Sequence, residues 1–100
     1  MKQKIIAAAT HRILFSPHAV KQMSRPSRMI TTDEVQKTVL LGDIIESYLD
    51  DPRGESCLMC HTTQNRTIHV VCAPKTAYLV VITAYLPSPE HWSIDFKQRK

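Results

Sequence analysis

Residues 77–85 read Ala77-Tyr78-Leu79-Val80-Val81-Ile82-Thr83-Ala84-Tyr85. Aromatic and β-branched side chains suit a pleated strand, and the run is apolar at both odd and even positions. Such a strand hides both faces, so it belongs in the middle of a sheet or beneath a helix. Working backwards, residues 67–73, 56–63 and 44–49 form three more strand-like runs. Gln64-Asn65-Arg66, between the runs 56–63 and 67–73, reads as a tight hairpin, and Asp50-Asp51-Pro52-Arg53-Gly54 reads as a loop.

Before residue 43 the pattern is helical. Residues 2–10, with Ala7-Ala8-Ala9, predict a short helix, and Ile13-Leu14-Phe15 predicts a brief extended segment. Ser16 then caps a helix with Pro17 at its first position, where a missing N–H costs nothing. Ala19, Val20 and Met23 form its inward stripe; His18, Lys21, Gln22 and Arg25 share the opposite, polar face. Pro26 ends it. Thr31 and Glu34 have capping-box spacing and open the next helix, which buries Val35, Val39 and Leu40 and stops at Gly42. Helices followed by strands on short loops predict an α+β fold with a four-stranded antiparallel sheet. Residues 87–100 predict a tail anchored by Trp92 and Phe96.

One hundred residues predict a single domain, 1–100. Charge is unevenly spread along it. Residues 1–30 sum to +6 with no acid, residues 31–60 to −5 and residues 61–100 to +3. Basic segments at both ends point to an anionic ligand, nucleic acid first. The apolar run Ile5 to Ala9 is shorter than a signal-peptide core, and no stretch approaches a membrane span. Three cysteines, an odd number, suit reduced thiols. A cytoplasmic location with no membrane partner is the expectation.

Cys57-Leu58-Met59-Cys60-His61 matches the C-x-x-C-H haem-attachment pattern, yet it falls inside a strand and no export signal accompanies it. A small zinc protein would use Cys57, Cys60, His69 and Cys72. Odd spacings on a strand alternate faces, so each pair would diverge; buried cysteines acting as small apolar residues are the simpler expectation, with no cofactor.

Metal-free RNA cleavage needs a proton acceptor for the 2′-hydroxyl, a donor for the leaving oxygen, and cations for the growing phosphate charge. His18 and His69 can move protons near neutral pH. Lys21, Arg25, Arg28 and Arg66 supply charge. Thr83 and Tyr85, two apart, share a strand face and offer hydroxyls; Tyr48 and the carboxylate of Glu46 could contribute likewise. Each residue also has an ordinary structural role open to it: solvated cations, a half-buried histidine, common strand formers.

The order Phe15-Ser16-Pro17-His18-Ala19, Ile30-Thr31-Thr32-Asp33-Glu34-Val35 and Gly42-Asp43-Ile44-Ile45-Glu46-Ser47-Tyr48 resembles the domain-of-unknown-function family 4258. Ser56-Cys57-Leu58, Ile68-His69-Val70-Val71, Ile82-Thr83-Ala84-Tyr85 and Pro87-Ser88-Pro89-Glu90-His91-Trp92 continue the resemblance, over about residues 13–97. It implies a RelE/barnase-like fold, with N-terminal helices packed on one face of the four-stranded antiparallel sheet and a site on the other face. It implies a metal-independent endoribonuclease or RNA-binding toxin acting on RNA or the ribosome, and a small zinc-finger antitoxin as partner. By position, the resemblance places His18, His69, Thr83 and Tyr85 in the site. The loop before Ile30 is longer than the family's spacing, leaving the site arginine between Arg25 and Arg28, with Arg28 favoured by counting back. The alternative is a non-catalytic module that uses the same face to bind an antitoxin-like partner.

Overall fold

A computed structural model describes residues 1–100. Three helices, α1 (Lys2–His11), α2 (Pro17–Met23) and α3 (Thr32–Leu41), accompany five strands. The strands are β1 (Ile13–Phe15), β2 (Asp43–Tyr48), β3 (Ser56–Thr62), β4 (Thr67–Pro74) and β5 (Leu79–Tyr85). They form one sheet in the order β1-β5-β4-β3-β2.

The α+β class holds, but the sheet is five-stranded and mixed, not four-stranded and antiparallel. Strands β2 to β5 pair antiparallel, while β1 runs parallel to β5 through Ile13–Leu79, Leu14–Val80 and Phe15–Val81. Three residues are too few to show strand periodicity, and the pairing closes across the whole chain. With β1 outside it, β5 lies between two strands, as its two apolar faces require.

The caps form as the residue types dictate. Ser16 Oγ accepts the Ala19 N–H at 3.0 Å, and Thr31 and Glu34 complete a reciprocal capping box at 3.1 and 3.0 Å. Ile5 and Ala8 of α1, Ala19 and Met23 of α2, and Val35 and Val39 of α3 share one core with Cys57, Met59, Ile68, Val70, Cys72, Val81 and Ala84. Gly42 is where α3 touches the sheet: a Cβ there would stand 2.5 Å from the Thr38 carbonyl oxygen and 2.7 Å from that of Cys60.

Part of the opposite sheet face is buried too, although no helix covers it. Leu58, Cys60 and His69 are almost fully buried on that side. The segment after β5 turns back across it, with Trp92 only 4% exposed. No helix is long and apolar enough to cross a membrane.

Candidate functional site

Ser16 sets the geometry of the first half of the site. Besides capping α2, its hydroxyl donates to the Ile82 carbonyl at 2.8 Å, and its backbone N–H bonds to the Val81 carbonyl at 3.0 Å. The start of α2 is thereby fastened to β5, and His18 stands beside the strand. A β-bulge where β4 and β5 pair leaves Ile82 without a cross-strand partner and pairs Thr83 with Val71. Ile82 and Thr83 both line a cleft of about 520 Å³ with Ser16, Pro17, His18, Arg53, Ala73, Lys75 and Val80.

Two cations border the cleft. Lys75 Nζ donates to the Arg53 carbonyl at 2.7 Å, which brings the β2–β3 and β4–β5 loops together. Arg53 forks onto Asp51, both bonds at 3.1 Å, and this hydrogen bonding lowers the Asp51 carboxyl to about 2. The Arg53 side chain remains 71% exposed. His18 is exposed and faces the same space.

His69 occupies the other half of this sheet face and does not line the cleft. It pairs across the strands with Tyr85 and with Cys60. Its Nε2 lies 2.8 Å from the Phe96 carbonyl oxygen, an acceptor, so Nε2 carries the proton; Nδ1 accepts from the Tyr85 hydroxyl at 3.2 Å. The ring packs edge-on against Trp92, 4.6 Å between centroids, and Tyr85, 5.3 Å. Burial lowers the imidazole pKa below 6.5, and the Phe96 carbonyl opposes that shift in part.

Beside this ring Glu46 accepts from Arg99 at 2.7 and 3.0 Å and from the Tyr48 hydroxyl. The Arg99 hydrogen bonds lower the Glu46 carboxyl below its usual 4.5, while burial, with Glu46 beside it, pushes the Tyr48 phenol up to about 12. The Arg99 guanidinium also stacks over Trp92 at 4.7 Å.

The expected residues thus divide into groups. His18 and Thr83 meet in the cleft; His69 and Tyr85 meet beneath the C-terminal segment. Lys21 and Arg25 are exposed and do not line the cleft. Arg28 donates to Gln22 at 2.7 Å. Arg66 is held at the junction of α2, α3 and the β3–β4 hairpin. It donates to Glu34 at 2.7 and 2.9 Å and to the carbonyls of Arg28 and Met29 at 2.6 and 3.1 Å. Arg53, Lys75, Trp92 and Arg99 were not singled out for the site by sequence reasoning. Arg53 and Lys75 belong to separate loops, and no spacing rule joins them.

The cysteines follow strand parity. Cys57 faces Cys72 in the helix-covered core, Sγ to Sγ 4.0 Å, and Cys60 lies with His69 on the other face. The sheet therefore separates the four would-be zinc ligands into two pairs. The hydrogen bond with the Cys57 sulfur, and burial after it, hold the Cys72 thiol protonated well above its usual range.

Helices on one side of a mixed sheet, with a cation-bordered cleft and an aromatic cluster on the other, define an α+β domain with a sheet-face site. Residues 15–86 match the family described as Domain of unknown function (DUF4258), and the chain belongs to that family. No curated protein and no solved structure matches the chain.

Proposed function

We propose that this protein is a RelE/barnase-like RNA-binding protein that cleaves RNA without a metal from the cleft beside β5. The observation that carries the reading is the meeting of His18, Thr83, Arg53 and Lys75 around one open space of about 520 Å³. An exposed imidazole facing two fixed cations suits a phosphodiester. Arg53 and Lys75 hold the phosphate and offset the charge that grows on it in the transition state. Thr83 donates its hydroxyl to a phosphate or ribose oxygen. The His18 imidazole accepts the proton of the 2′-hydroxyl as that oxygen attacks phosphorus. The bond from phosphorus to the 5′-oxygen breaks, solvent protonates the leaving oxygen, and a 2′,3′-cyclic phosphate results.

The test is cleavage of ribosome-free RNA and, separately, of messenger on translating ribosomes, with products examined for the cyclic phosphate. His18→Ala should lower the rate by about a hundredfold or more, the usual contribution of a positioned acid–base group. It should leave the melting temperature nearly unchanged, because the side chain is exposed. A folded wild-type protein that cleaves neither substrate overturns the enzymatic reading. RNA affinity that falls steeply as salt rises supports the nucleic-acid assignment; absence of RNA binding at low salt favours the protein-partner module.

A further inference from the structure

Residues 91–100 form a unit of their own. Trp92 and Arg99 make an antiparallel bridge, Ser93 N–H bonds to the Gln98 carbonyl at 2.8 Å, and Lys100 N–H bonds to that of His91 at 2.9 Å. Asp95 braces the turn by accepting from the Ser93 hydroxyl at 2.6 Å and the Lys97 N–H at 3.1 Å. None of these backbone bonds reaches the sheet. The segment is held there by the His69–Phe96 hydrogen bond, the Cys60 thiol 3.9 Å from the same carbonyl oxygen, the Lys97–Asp43 and Arg99–Glu46 ion pairs, and the seating of Trp92. Lys97 and Arg99 are 45% and 61% exposed, so water competes for both pairs. Phe96, whose carbonyl meets His69, has φ +61°, a region that costs a side-chain-bearing residue some strain.

Beneath the segment the rings of His69, Tyr85 and Tyr48 gather near the carboxylate of Glu46; His69 is fully buried and the other three are half-buried. Rings of this kind stack nucleobases, and a carboxylate accepts from the exocyclic amine of a base. Trp92 places a flat indole against His69, with Arg99 over its face and bonded to Glu46.

We propose that residues 91–100 are a displaceable strap whose Trp92 holds the place of a nucleobase. The subsite beneath it, built by His69, Tyr85, Tyr48 and Glu46, takes an amino-bearing base of the same RNA strand whose phosphate occupies the His18 cleft. This inference rests on the RNA reading and adds a base pocket and a means of control to it. Departure of the strap joins both halves of the sheet face into one groove.

Trp92 is the only tryptophan, so its emission reports the strap directly. The full chain is titrated with an oligocytidylate octamer; fluorescence anisotropy of labelled RNA reads binding, and Trp92 emission and acrylamide quenching read the strap. Bound RNA should shift the emission to longer wavelength and raise quenching. Arg99→Ala should show part of that shift without RNA. It should also bind about two- to fivefold tighter than Lys2→Ala, a variant with the same loss of charge on α1. RNA that binds while Trp92 stays shielded overturns the strap and leaves the cleft reading intact. A strap that stays closed even in the Arg99→Ala, Lys97→Ala double variant also overturns it. If neither the wild type nor an open variant binds RNA, the RNA reading itself fails, and the base subsite with it.

Discussion

His69 Nε2 donates to the Phe96 carbonyl at 2.8 Å, so a fully buried histidine on β4 fastens the C-terminal segment to the sheet. That hydrogen bond needs no charge on the ring, and burial disfavours one. Glu46, Arg99, Tyr85 and Trp92 are the polar and aromatic groups around it.

The first prediction is therefore a pH dependence with a definite sign. The folded-state pKa of His69 lies below 6.5, so in the window just beneath that value the unfolded chain binds the proton more readily. The contribution is full above the unfolded pKa and is lost as pH falls towards the folded one. Urea midpoints should drop between about pH 7.5 and about pH 5.5, and His69→Gln should flatten that slope. An unchanged slope in the variant would show that another group titrates there.

Ser16 both caps α2 and donates to the Ile82 carbonyl. Ser16→Ala should cost about 0.5–2 kcal/mol, the range of a lost cap. Because the same hydroxyl ties α2 to β5, any RNA cleavage should fall further than it does in a stability-matched variant elsewhere, for example Thr31→Ala on α3. Parallel denaturation and single-turnover measurements on both variants check this.

Arg66 joins Glu34 to the carbonyls of Arg28 and Met29, so it acts as a brace between helices and hairpin. Arg66→Ala should cost about 1–3 kcal/mol, since it leaves partly buried acceptors without their donor. The bond to Arg66 also holds the Glu34 carboxyl below 4.5. The brace is present above that value and weakens as pH falls through the lower folded-state pKa. Urea denaturation across the acidic range, wild type against Arg66→Ala, should show the difference closing.

Gly42 matters for space, not for backbone freedom, since its φ is −79°. A methyl group would press on the Thr38 and Cys60 carbonyls at 2.5 and 2.7 Å, and backbone cannot swing aside as a side chain would. Gly42→Ala should cost about 1–3 kcal/mol, visible as a lowered thermal midpoint with the secondary structure preserved.

Much of the local structure was legible. The serine cap with Pro17, the Thr31–Glu34 box, the helix-ending glycine and the four long strands all depend on near neighbours, and each formed within a residue or two of its expected limits. Strand parity likewise separated Cys57 from Cys60. The β1–β5 pairing was not legible, since Ile13 and Leu79 meet across most of the chain. The candidate site was half legible. His18 and Thr83 share the cleft, but its cations are Arg53 and Lys75, whereas Arg66 serves as the brace.

By itself the sequence determined the elements, their caps and most of their buried stripes, although Val20, expected on the inward side of α2, is 52% exposed. These depend on residue type and on periods of about two and 3.6, which act over one or two turns of chain. Only the tertiary structure decided which side chains meet. Loop closure brought Arg53 beside Lys75, the Ser16–Ile82 bond set His18 against β5, and the return of residues 91–100 buried His69 under Trp92. Contacts between distant residues leave no period in a sequence, because burial and hydrogen bonding select them only once the sheet exists.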